Sequence, residues 1–548
     1  MSEQFPFGYE RIAATTWAYL SSLLMLCVFF KFNRFWSIRN FDLLLIVLLA
    51  PGILLVEGGR QWVENEDPVQ ASSAFDPAAE TDAAGTNGPD SSSTGDSPRP
   101  DGTDAPQDGG EEPVVPPDNE EIIALPDQAE TPPLIEEDPD TGELSAAELP
   151  RGERLQRLGY IWLFAVAALF LLRLLLDPVL VRRPLLEPNM TPGGLVFMGC
   201  SLMIFLFANI ISAKPNADDL SGASDAIKML QREAVAEDEG AQERLLRRGP
   251  GYQLFSLFPI IPSFGDEREI REILDVDPED ENTHMNRYVI AAKSLAIASQ
   301  ILIVLGLVLI GHLHFKSFRA GVGMAVIYLI LPYTAVFTGH VMHALPAALM
   351  LWALVLLRRP GFAGVFIGLA AGVSYYPLFL LPLWISFYWE KGRARFLIGF
   401  FCALAICIGG LMFTSYDVSD FLAQLRTMFG FWVPKLQGLE GVWALGWDAW
   451  YRLPLLVAFI ALSVSFAFWP EQKNVGTLIA FSGAIMAALQ FWHGFEGGLL
   501  LAWYVPFALL TIFRPNLDGR IASVELAVAE KARRLRSAEM SEELLPVE

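Results

Sequence analysis

The residues whose types and spacing could do chemistry include two histidines at the start of one apolar run and two polar residues in a later turn. His340 and His343 are three residues apart, so on a helix both would face one side. With His493 and Glu496 they could form a metal-binding or substrate-binding cluster. The match to zinc spacing is poor and no fourth ligand is evident. Polar residues that cap helices at a membrane boundary are the alternative, so no metal site is predicted.

A second candidate combines aromatic rings with opposite charges. Trp447, Asp448, Trp450 and Arg452 lie close together in the sequence. Such a set suits contact with a sugar or with a lipid head group. A belt of aromatic side chains at the membrane–water boundary is the default explanation of the same residues.

A third candidate is a group of three aspartates beyond an apolar run. Asp218 and Asp219 follow the run 193–212, and Asp225 comes soon after them. Asp219 or Ser221 could cap the helix that the following residues predict. From the residues alone, these acids need do no more than that.

The composition places these candidates in a membrane protein. Hydrophobic residues make up 53% of the chain, and the mean hydropathy is +0.37. Many apolar runs reach 17 residues or more, which predicts an all-α, polytopic transmembrane helical bundle. We expect about 11 full spans and one broken hairpin. The runs are 12–30, 41–56, 158–178, 193–212, 288–311, 320–337, 341–357, the interrupted 361–389, 396–413, 453–469, 475–491 and 497–513.

One long acidic segment interrupts the first spans. The chain's net charge is −23, and residues 64–148 hold 24 acidic residues against one base, Arg99. The segment is rich in Pro, Gly, Ser and Ala and has hardly any aromatic residues, so it cannot bury enough surface to fold. It therefore predicts a disordered acidic loop over 61–152. Nothing in the chain indicates binding to nucleic acid.

The distribution of Lys and Arg predicts one orientation in the membrane. Basic residues cluster after alternate spans, and such clusters face the cytoplasm. The acidic loop and the loops 213–287 and 414–452 should then lie outside, and the latter two should pack together. The tail 516–548 should form an amphipathic helix in the cytoplasm. We expect the cytoplasmic membrane of a bacterium.

The interrupted run 361–389 has an unusual length. A single crossing needs about 20 residues and two full crossings about 40, so its 29 residues fit neither. Basic clusters flank both ends, with Tyr375-Tyr376-Pro377 near the middle. A broken hairpin that returns to its starting side is the prediction. Non-helical backbone at that depth is tolerated where protein or a watery cavity covers it.

From about residue 194 to about residue 515 the chain resembles the membrane core of the GT-C glycosyltransferases. Four features carry the resemblance: an Arg-initiated span at Arg287, the L-P-Y that ends the next one, the R-R-P-G run with its later glycines, and Y-P-L-x-L-L-P from Tyr376. A late W-Y-x-P-F at Trp503–Phe507 agrees with it. Bacterial polyprenyl-phosphate-dependent mannosyltransferases are the branch that it resembles most.

The resemblance implies a domain organisation. The GT-C-like core would be 193–515, preceded by helices 1–2 in 1–60, the acidic loop, and a third helix with its link in 153–192. These N-terminal parts lie outside the resemblance.

The resemblance also implies a reaction. Members of this family carry a catalytic acid in the first external loop, which would make Asp219 the base and Asp218 the second choice. The donor would be a polyprenyl-phosphate-linked sugar, the acceptor a lipid, glycan or protein, and a divalent cation could assist. Helix capping remains the alternative role for the aspartates.

The resemblance implies contacts for the substrates as well. The loops 213–287 and 414–452 would shape their grooves. Members of the family often carry a basic residue just before Tyr-Pro, where this chain has Ser374-Tyr375-Tyr376, so Lys435 or Arg452 would have to contact the phosphate. The substrate-binding candidates are Asp225, His340, His343, Tyr376, Lys435, Trp447, Arg452, His493 and Glu496.

Two other classes of protein also fit the sequence. Broken helices at mid-membrane mark transport sites, so a transporter or lipid flippase is one alternative. Charges within the spans are nearly absent, which speaks against an ion-coupled transporter. The other alternative is a non-catalytic membrane scaffold in which the acidic loop is the working part.

Overall fold

The computed structural model describes residues 13–66, 150–180, 187–231, 247–260, 281–412, 415, 417–429 and 439–543. These residues form helices, turns and irregular segments, and no strand occurs among them beyond a single bridge between Asn474 and Ile521. The prediction of an all-α fold is therefore confirmed for the described chain. The predicted disordered loop lies mostly outside these residues, as does Lys435.

The first half of the chain supplies eight α-helices within the described residues. They are α1 (Ala14–Phe29), α2 (Ile38–Val47), α3 (Leu49–Glu66), α4 (Arg151–Leu175), α5 (Pro192–Ser212), α6 (Ala217–Gln231), α7 (Tyr252–Ile260) and α8 (Glu281–Leu313).

The second half supplies eleven more among the described residues. They are α9 (Phe318–Ile330), α10 (Pro332–Val336), α11 (Val341–Val355), α12 (Pro360–Val373), α13 (Leu381–Phe387), α14 (Arg393–Leu411), α15 (Val418–Phe429), α16 (Arg452–Phe468), α17 (Val475–Leu489), α18 (Val505–Phe513) and α19 (Ala522–Glu543).

Six of the described helical segments are long and apolar enough to cross a membrane, which indicates a helical membrane protein. Seven shorter apolar helices accompany them. The six segments are Ile38–Val63, Arg151–Val179, Pro192–Ser212, Arg287–Leu313, Arg393–Leu411 and Ala449–Phe468.

Two apolar runs that the sequence analysis treated as single spans are interrupted. The run 320–337 breaks at Leu331, whose ψ of 134° is extended, because the residue before a proline avoids helical geometry. The run 497–513 becomes a short 3-10 helix, Leu501–Trp503, followed by α18. The loop 414–452, in turn, contains the helix α15. Hydropathy does not detect the two interruptions because the side chains stay apolar throughout both runs.

The interrupted run 361–389 returns to its starting side, as predicted. Helix α12 ends at Val373, a 3-10 helix covers Tyr376–Leu380, and α13 brings the chain back. A Cβ placed on Gly392, just before α14, would lie 2.8 Å from Pro360 Cγ at the start of α12. The first residues of α12 and α14 therefore lie next to each other.

Glycines allow α12 and α14 to pack with their backbones in close contact. A Cβ on Gly364 would lie 2.0 Å from Phe396 O, and one on Gly368 would lie 2.5 Å from Phe400 O. From Gly364 to Gly368 on α12 the contact moves from Phe396 to Phe400 on α14, so the two helices run parallel. Small residues are the usual means of such contact between membrane helices.

Helices α3 and α4, which flank the acidic segment, form a second tight pair. A Cβ on Gly59 would lie 2.6 Å from Gly152 O, and one on Gly159 would lie 2.8 Å from Val56 N. Arg151 stacks over the Trp62 ring at 4.5 Å. The two ends of the acidic segment are therefore held next to each other.

Buried ion pairs lie at the end of the bundle where α4 and α18 finish. Arg514 donates to Asp177 Oδ2 at 2.5 Å, and Arg173 donates to Asp42 Oδ1 at 2.6 Å. The tail forms the helix α19, and its Glu525 accepts from Arg358 Nε at 2.7 Å. The predicted helix in the tail is confirmed, and this ion pair anchors its first turn.

Substitution of Gly364 by alanine should lower the stability of the bundle. The added methyl would overlap Phe396 O, and overpacking of this kind costs about 1–3 kcal/mol. Gly409→Ala on α14 is the matched control, since no heavy atom of the described structure lies within 4 Å of its added Cβ. Thermal unfolding in detergent should show a lower melting temperature for Gly364→Ala alone. Equal melting temperatures would contradict the close contact.

Candidate functional site

Helix α6 carries the three aspartates, and its first turn places Asp219 inside the protein. The backbone N–H groups of Asp219 and Leu220 donate to Asn216 O, so the helix starts from Asn216. The side chain of Asp219 is 3% exposed and makes no capping bond to α6 among the described contacts. Both described hydrogen bonds of the Asp219 side chain come from outside α6.

The Asp219 carboxylate bridges two other helices instead. Tyr252 in α7 donates its hydroxyl to Asp219 Oδ1 at 2.8 Å, and the N–H of Val341 donates to Oδ2 at 3.3 Å. Val341 is the first residue of α11, so the carboxylate satisfies one of the unpaired N–H groups of that helix. Burial raises the pKa of Asp219 to about 6, although the Tyr252 hydroxyl and the Val341 N–H favour the ionised form.

Two arginines hold the other two aspartates of α6. Arg247 donates to Asp218 Oδ2 at 3.3 Å, and Arg248 lies 3.5 Å from Asp218 Oδ1 and 3.4 Å from Asp225 Oδ2. Asp225 and Arg248 are each 5% exposed, whereas the Asp218 side chain is 31% exposed. Asp225 therefore serves the packing of α6, while Asp218 remains accessible with its charge neutralised.

The arginine pair is fixed against the broken hairpin by the Gly249-Pro250-Gly251 sequence that follows it. Gly249 N donates to Val373 O at 2.8 Å, and Gly251 N donates to Gly372 O at 2.7 Å. A Cβ on Gly249 would lie 2.3 Å from Gly372 O, so only glycine allows this approach. The segment that carries the arginines is therefore joined to the end of α12.

Arg247 also links the two long loops that we expected to pack together. Its guanidinium forms an ion pair with Glu440 and lies 5.2 Å above the Phe495 ring. Burial raises the pKa of the Glu440 carboxyl, against the effect of Arg247. The predicted contact between the loops 213–287 and 414–452 is thus confirmed at this ion pair.

Three of the four residues of the histidine cluster lie together. The rings of His340 and His343 are 5.2 Å apart, and His343 Nε2 lies 3.3 Å from Glu496 Oε2. Tyr333 pairs with His343 Nδ1 at 2.8 Å, so both ring nitrogens of His343 have protein partners. The ring of His493, the fourth residue, lies 4.4 Å from that of Tyr376.

Glu496 is the charged centre of this cluster. Arg60 of α3 donates to Glu496 Oε1 at 2.6 Å and lies 3.4 Å from the Tyr160 hydroxyl of α4. Burial opposes ionisation, but His343 and Arg60 more than offset it and hold the pKa of Glu496 well below its usual range. The φ of Glu496 is 51°, a left-handed conformation that is uncommon for this residue and frequent at functional sites.

The described residues contain no group of three or more His, Cys, Asp or Glu side chains arranged to hold a metal ion. The contacts of His343 explain this, since Tyr333 and Glu496 already use both of its nitrogens.

Tyr376 lies at the break of the hairpin, where Trp492 connects it to Arg452. Tyr376 is 3% exposed, and its ring lies 5.7 Å from those of both Trp492 and Trp503. Arg452 Nε donates to Trp492 O at 3.1 Å, and the Trp492 ring is one of those that pack on Tyr376. A basic group thus lies near the tyrosine pair although none precedes it in the sequence.

Trp447 lies apart from these groups. Its side chain is 40% exposed, and Arg157 of α4 stacks over its ring at 5.7 Å. This position agrees with the aromatic belt that we considered as its alternative role.

Sequence reasoning did not select several residues that build this site: Arg60, Tyr160, Arg247, Arg248, Tyr252, Tyr333 and Glu440. A signal existed for the arginine pair, because two bases followed by Gly-Pro-Gly stand out in a mainly acidic loop. No comparable signal marks Tyr252 or Arg60, whose partners are distant in the sequence.

The fold and the site define a class: a helical membrane protein with a buried carboxylate, arginines and histidines at one end of its bundle. Comparison with protein-family models, with characterised proteins and with solved structures finds no match for the chain. The functional argument therefore rests on the geometry of this site.

The pH dependence of stability should reveal the buried carboxyl of Asp219. An unfolded aspartate releases its proton near pH 4, whereas burial keeps this one protonated to about pH 6. The folded state then binds more protons between these values, so its stability falls as the pH rises through the window. The variant Asp219→Asn has no carboxyl at this position and therefore lacks this pH-dependent contribution to stability. Its melting temperature relative to the unchanged protein should rise from pH 4 to pH 6 and then level off; a flat difference would contradict the burial.

Loss of the buried Arg248 guanidinium should destabilise the protein strongly. Arg248→Gln would leave Asp225 buried without its guanidinium, and breaking a buried pair costs about 3–5 kcal/mol. Arg534→Gln is the control, because the Arg534 side chain is 78% exposed in its pair with Glu530 and such pairs contribute about 0–1 kcal/mol. Unfolding in detergent measures both variants. Similar losses in the two would contradict a structural role for Arg248.

Proposed function

We propose that the chain is an integral-membrane glycosyltransferase of the GT-C-like type. It would move a sugar from a polyprenyl-phosphate donor to a lipid, glycan or protein acceptor, on the outer face of a bacterial cytoplasmic membrane. The observation that carries the proposal is the buried Asp219 carboxylate, whose pKa of about 6 suits a general base near neutral pH.

Asp219 would take the proton of the acceptor hydroxyl. As that oxygen bonds to the anomeric carbon, the bond from the carbon to the phosphate oxygen breaks, and the lipid phosphate leaves with the electron pair. The Tyr252 hydroxyl and the Val341 N–H fix the orientation of the carboxylate. Each contact uses one of about four acceptor positions on the two oxygens, so further positions remain for the acceptor.

Asp218 is the weaker candidate for the base. Arg247 and Arg248 both contact its carboxylate, so both of its oxygens are already engaged in ion pairs. The same contacts suit a second role, which is to hold the arginine pair beside Asp219.

The surroundings of Asp219 support a reaction between a lipid-linked donor and an acceptor. The arginine segment connects α6 to the break of the hairpin, and Arg452 lies near Tyr376 at that break. Broken helices at membrane depth are tolerated where they line a cavity or are covered by protein. A substrate with an apolar chain and a charged head would meet apolar helices and charged groups at this one end of the bundle.

Replacement of Asp219 by asparagine should abolish transfer. The side-chain amide of the variant could not take up the proton of the acceptor, and removal of a general base typically costs about 10²–10⁴-fold in rate. The measurement is transfer of radiolabelled sugar from polyprenyl-phosphate mannose and glucose to lipid or peptide acceptors by the purified protein. Asp417→Asn, at an exposed residue before α15, is the control and should keep full activity.

The pH profile provides a second readout of the same assay. The rate should rise as the pH increases through about 6, where Asp219 loses its proton, and then become constant. Full activity in the Asp218→Asn/Asp219→Asn double variant would overturn the assignment. Uptake of substrate into proteoliposomes without any lipid-linked donor would favour a transporter instead.

A further inference from the structure

A small cavity near Asp219 is lined by polar residues that take no part in the proposed reaction. Its volume is about 150 Å³, and it lies where the end of α5, the first part of α8 and the turn before α11 meet. Its polar lining residues are Lys214, Asn216, Lys293, Thr338 and His340.

The charge of the cavity is positive. Two lysines line it, and no aspartate or glutamate is among its lining residues in the described structure. Lys293 Nζ donates to Ile211 O at 2.6 Å, which uses one of its three protons. None of the described ion pairs involves Lys214 or Lys293, so both ammonium groups can serve an anion.

The neutral polar groups of the cavity also suit an anion. The Thr338 side chain is buried, and its hydroxyl has no hydrogen-bond partner among the described residues. A buried hydroxyl without a partner costs free energy, so a bound acceptor would stabilise it. Asn216 Nδ2 lies 3.4 Å from His340 Nδ1, which orients the amide at the same wall.

The location of the cavity favours an anion that belongs to a lipid. Ile211 on α5 is 42% exposed and follows a lining residue of the cavity in the chain. Ile290 on α8 is 55% exposed and lies about one helical turn before Lys293. Helix α5 and most of α8 are apolar enough to cross a membrane. The cavity therefore lies where a helix leaves the apolar layer, which is the level of a lipid head group.

We propose that this cavity binds the phosphate group of an anionic lipid, with Lys214 and Lys293 as its cationic ligands. His340 precedes Val341, whose N–H holds Asp219, so the phosphate would lie beside that carboxylate. The cavity would then hold the phosphate of the sugar donor, and this assignment rests on the proposed function. It supplies the cations that are missing before Tyr376-Pro377.

The competing explanation is that Lys293 only satisfies a carbonyl at the end of α5. The chain offers a matched case, because Lys473 donates to Ala467 O at 3.2 Å near the end of α16 and to Pro470 O at 2.8 Å. Lys473 does not line the cavity. Lys473→Gln therefore removes the same kind of backbone contact and leaves the cationic pair intact.

The test measures binding of phosphatidic acid to the purified full-length protein in detergent, with diacylglycerol as the matched lipid without phosphate. Variants are Lys214→Gln, Lys293→Gln, the double variant and Lys473→Gln, each checked for folding by size-exclusion chromatography. Loss of one charge-assisted contact weakens binding by about tenfold. We expect that increase in the dissociation constant for each cavity lysine and no change for Lys473→Gln.

Competition with inorganic phosphate separates the two possible sources of the anion. Weak competition together with tight binding of phosphatidic acid supports a lipid head group. If inorganic phosphate binds as tightly as the lipid, the cavity takes a free anion and the lipid assignment is overturned. Equal binding of diacylglycerol, or unchanged affinity in the double variant, would overturn the phosphate site itself. No sugar is transferred in this assay, so a failure of the proposed glycosyl transfer would leave its result standing.

Discussion

The structure depends on how the backbone carbonyls at the break of one helix are satisfied. Helix α12 stops at Val373, and its final carbonyls would be left unpaired within an apolar bundle at a cost of several kcal/mol each. The N–H groups of Gly249 and Gly251 bind the carbonyls of Val373 and Gly372. This contact allows the hairpin to turn back, and it also fixes the segment that carries Arg247 and Arg248.

The charged groups near Asp219 follow from the same low-polarity surroundings. An ionised side chain taken out of water needs a partner of opposite charge or hydrogen bonds. Arg248 meets Asp225, which is 23 positions away in the chain, and Arg60 meets Glu496, which is 436 positions away. Asp219 differs, because its partners are a hydroxyl and a backbone N–H. Its ionisation therefore remains costly, which raises the pKa of the carboxyl.

The N-terminal helices belong to this arrangement although the family resemblance did not include them. Glycines bring α3 and α4 into close contact, and α4 packs on α17. From this pair Arg60 and Tyr160 reach towards Glu496. A part of the chain that had no interpretation from sequence thus helps to hold the conformation of the turn at 493–496.

The sequence by itself determined the all-α class of fold and the returning hairpin. Hydropathy, helix-breaking prolines and basic clusters are local properties, and the apolar layer forces them into helices of limited length. It also selected Asp219, His343 and Glu496 as candidates, because polar residues stand out beside apolar runs. The breaks at Leu331 and before Val505 escaped it, since their side chains are as apolar as those of continuous spans.

Only the tertiary structure decided which polar residues meet. Tyr252, Arg60 and Arg247 contact partners that are 29 to 436 positions away in the chain, and no local pattern encodes such pairs. It also decided the state of Asp219, because the pKa of a carboxyl depends on the burial that surrounding helices impose. The sequence supplies the aspartate, and the packing of the surrounding helices sets the pKa of its carboxyl.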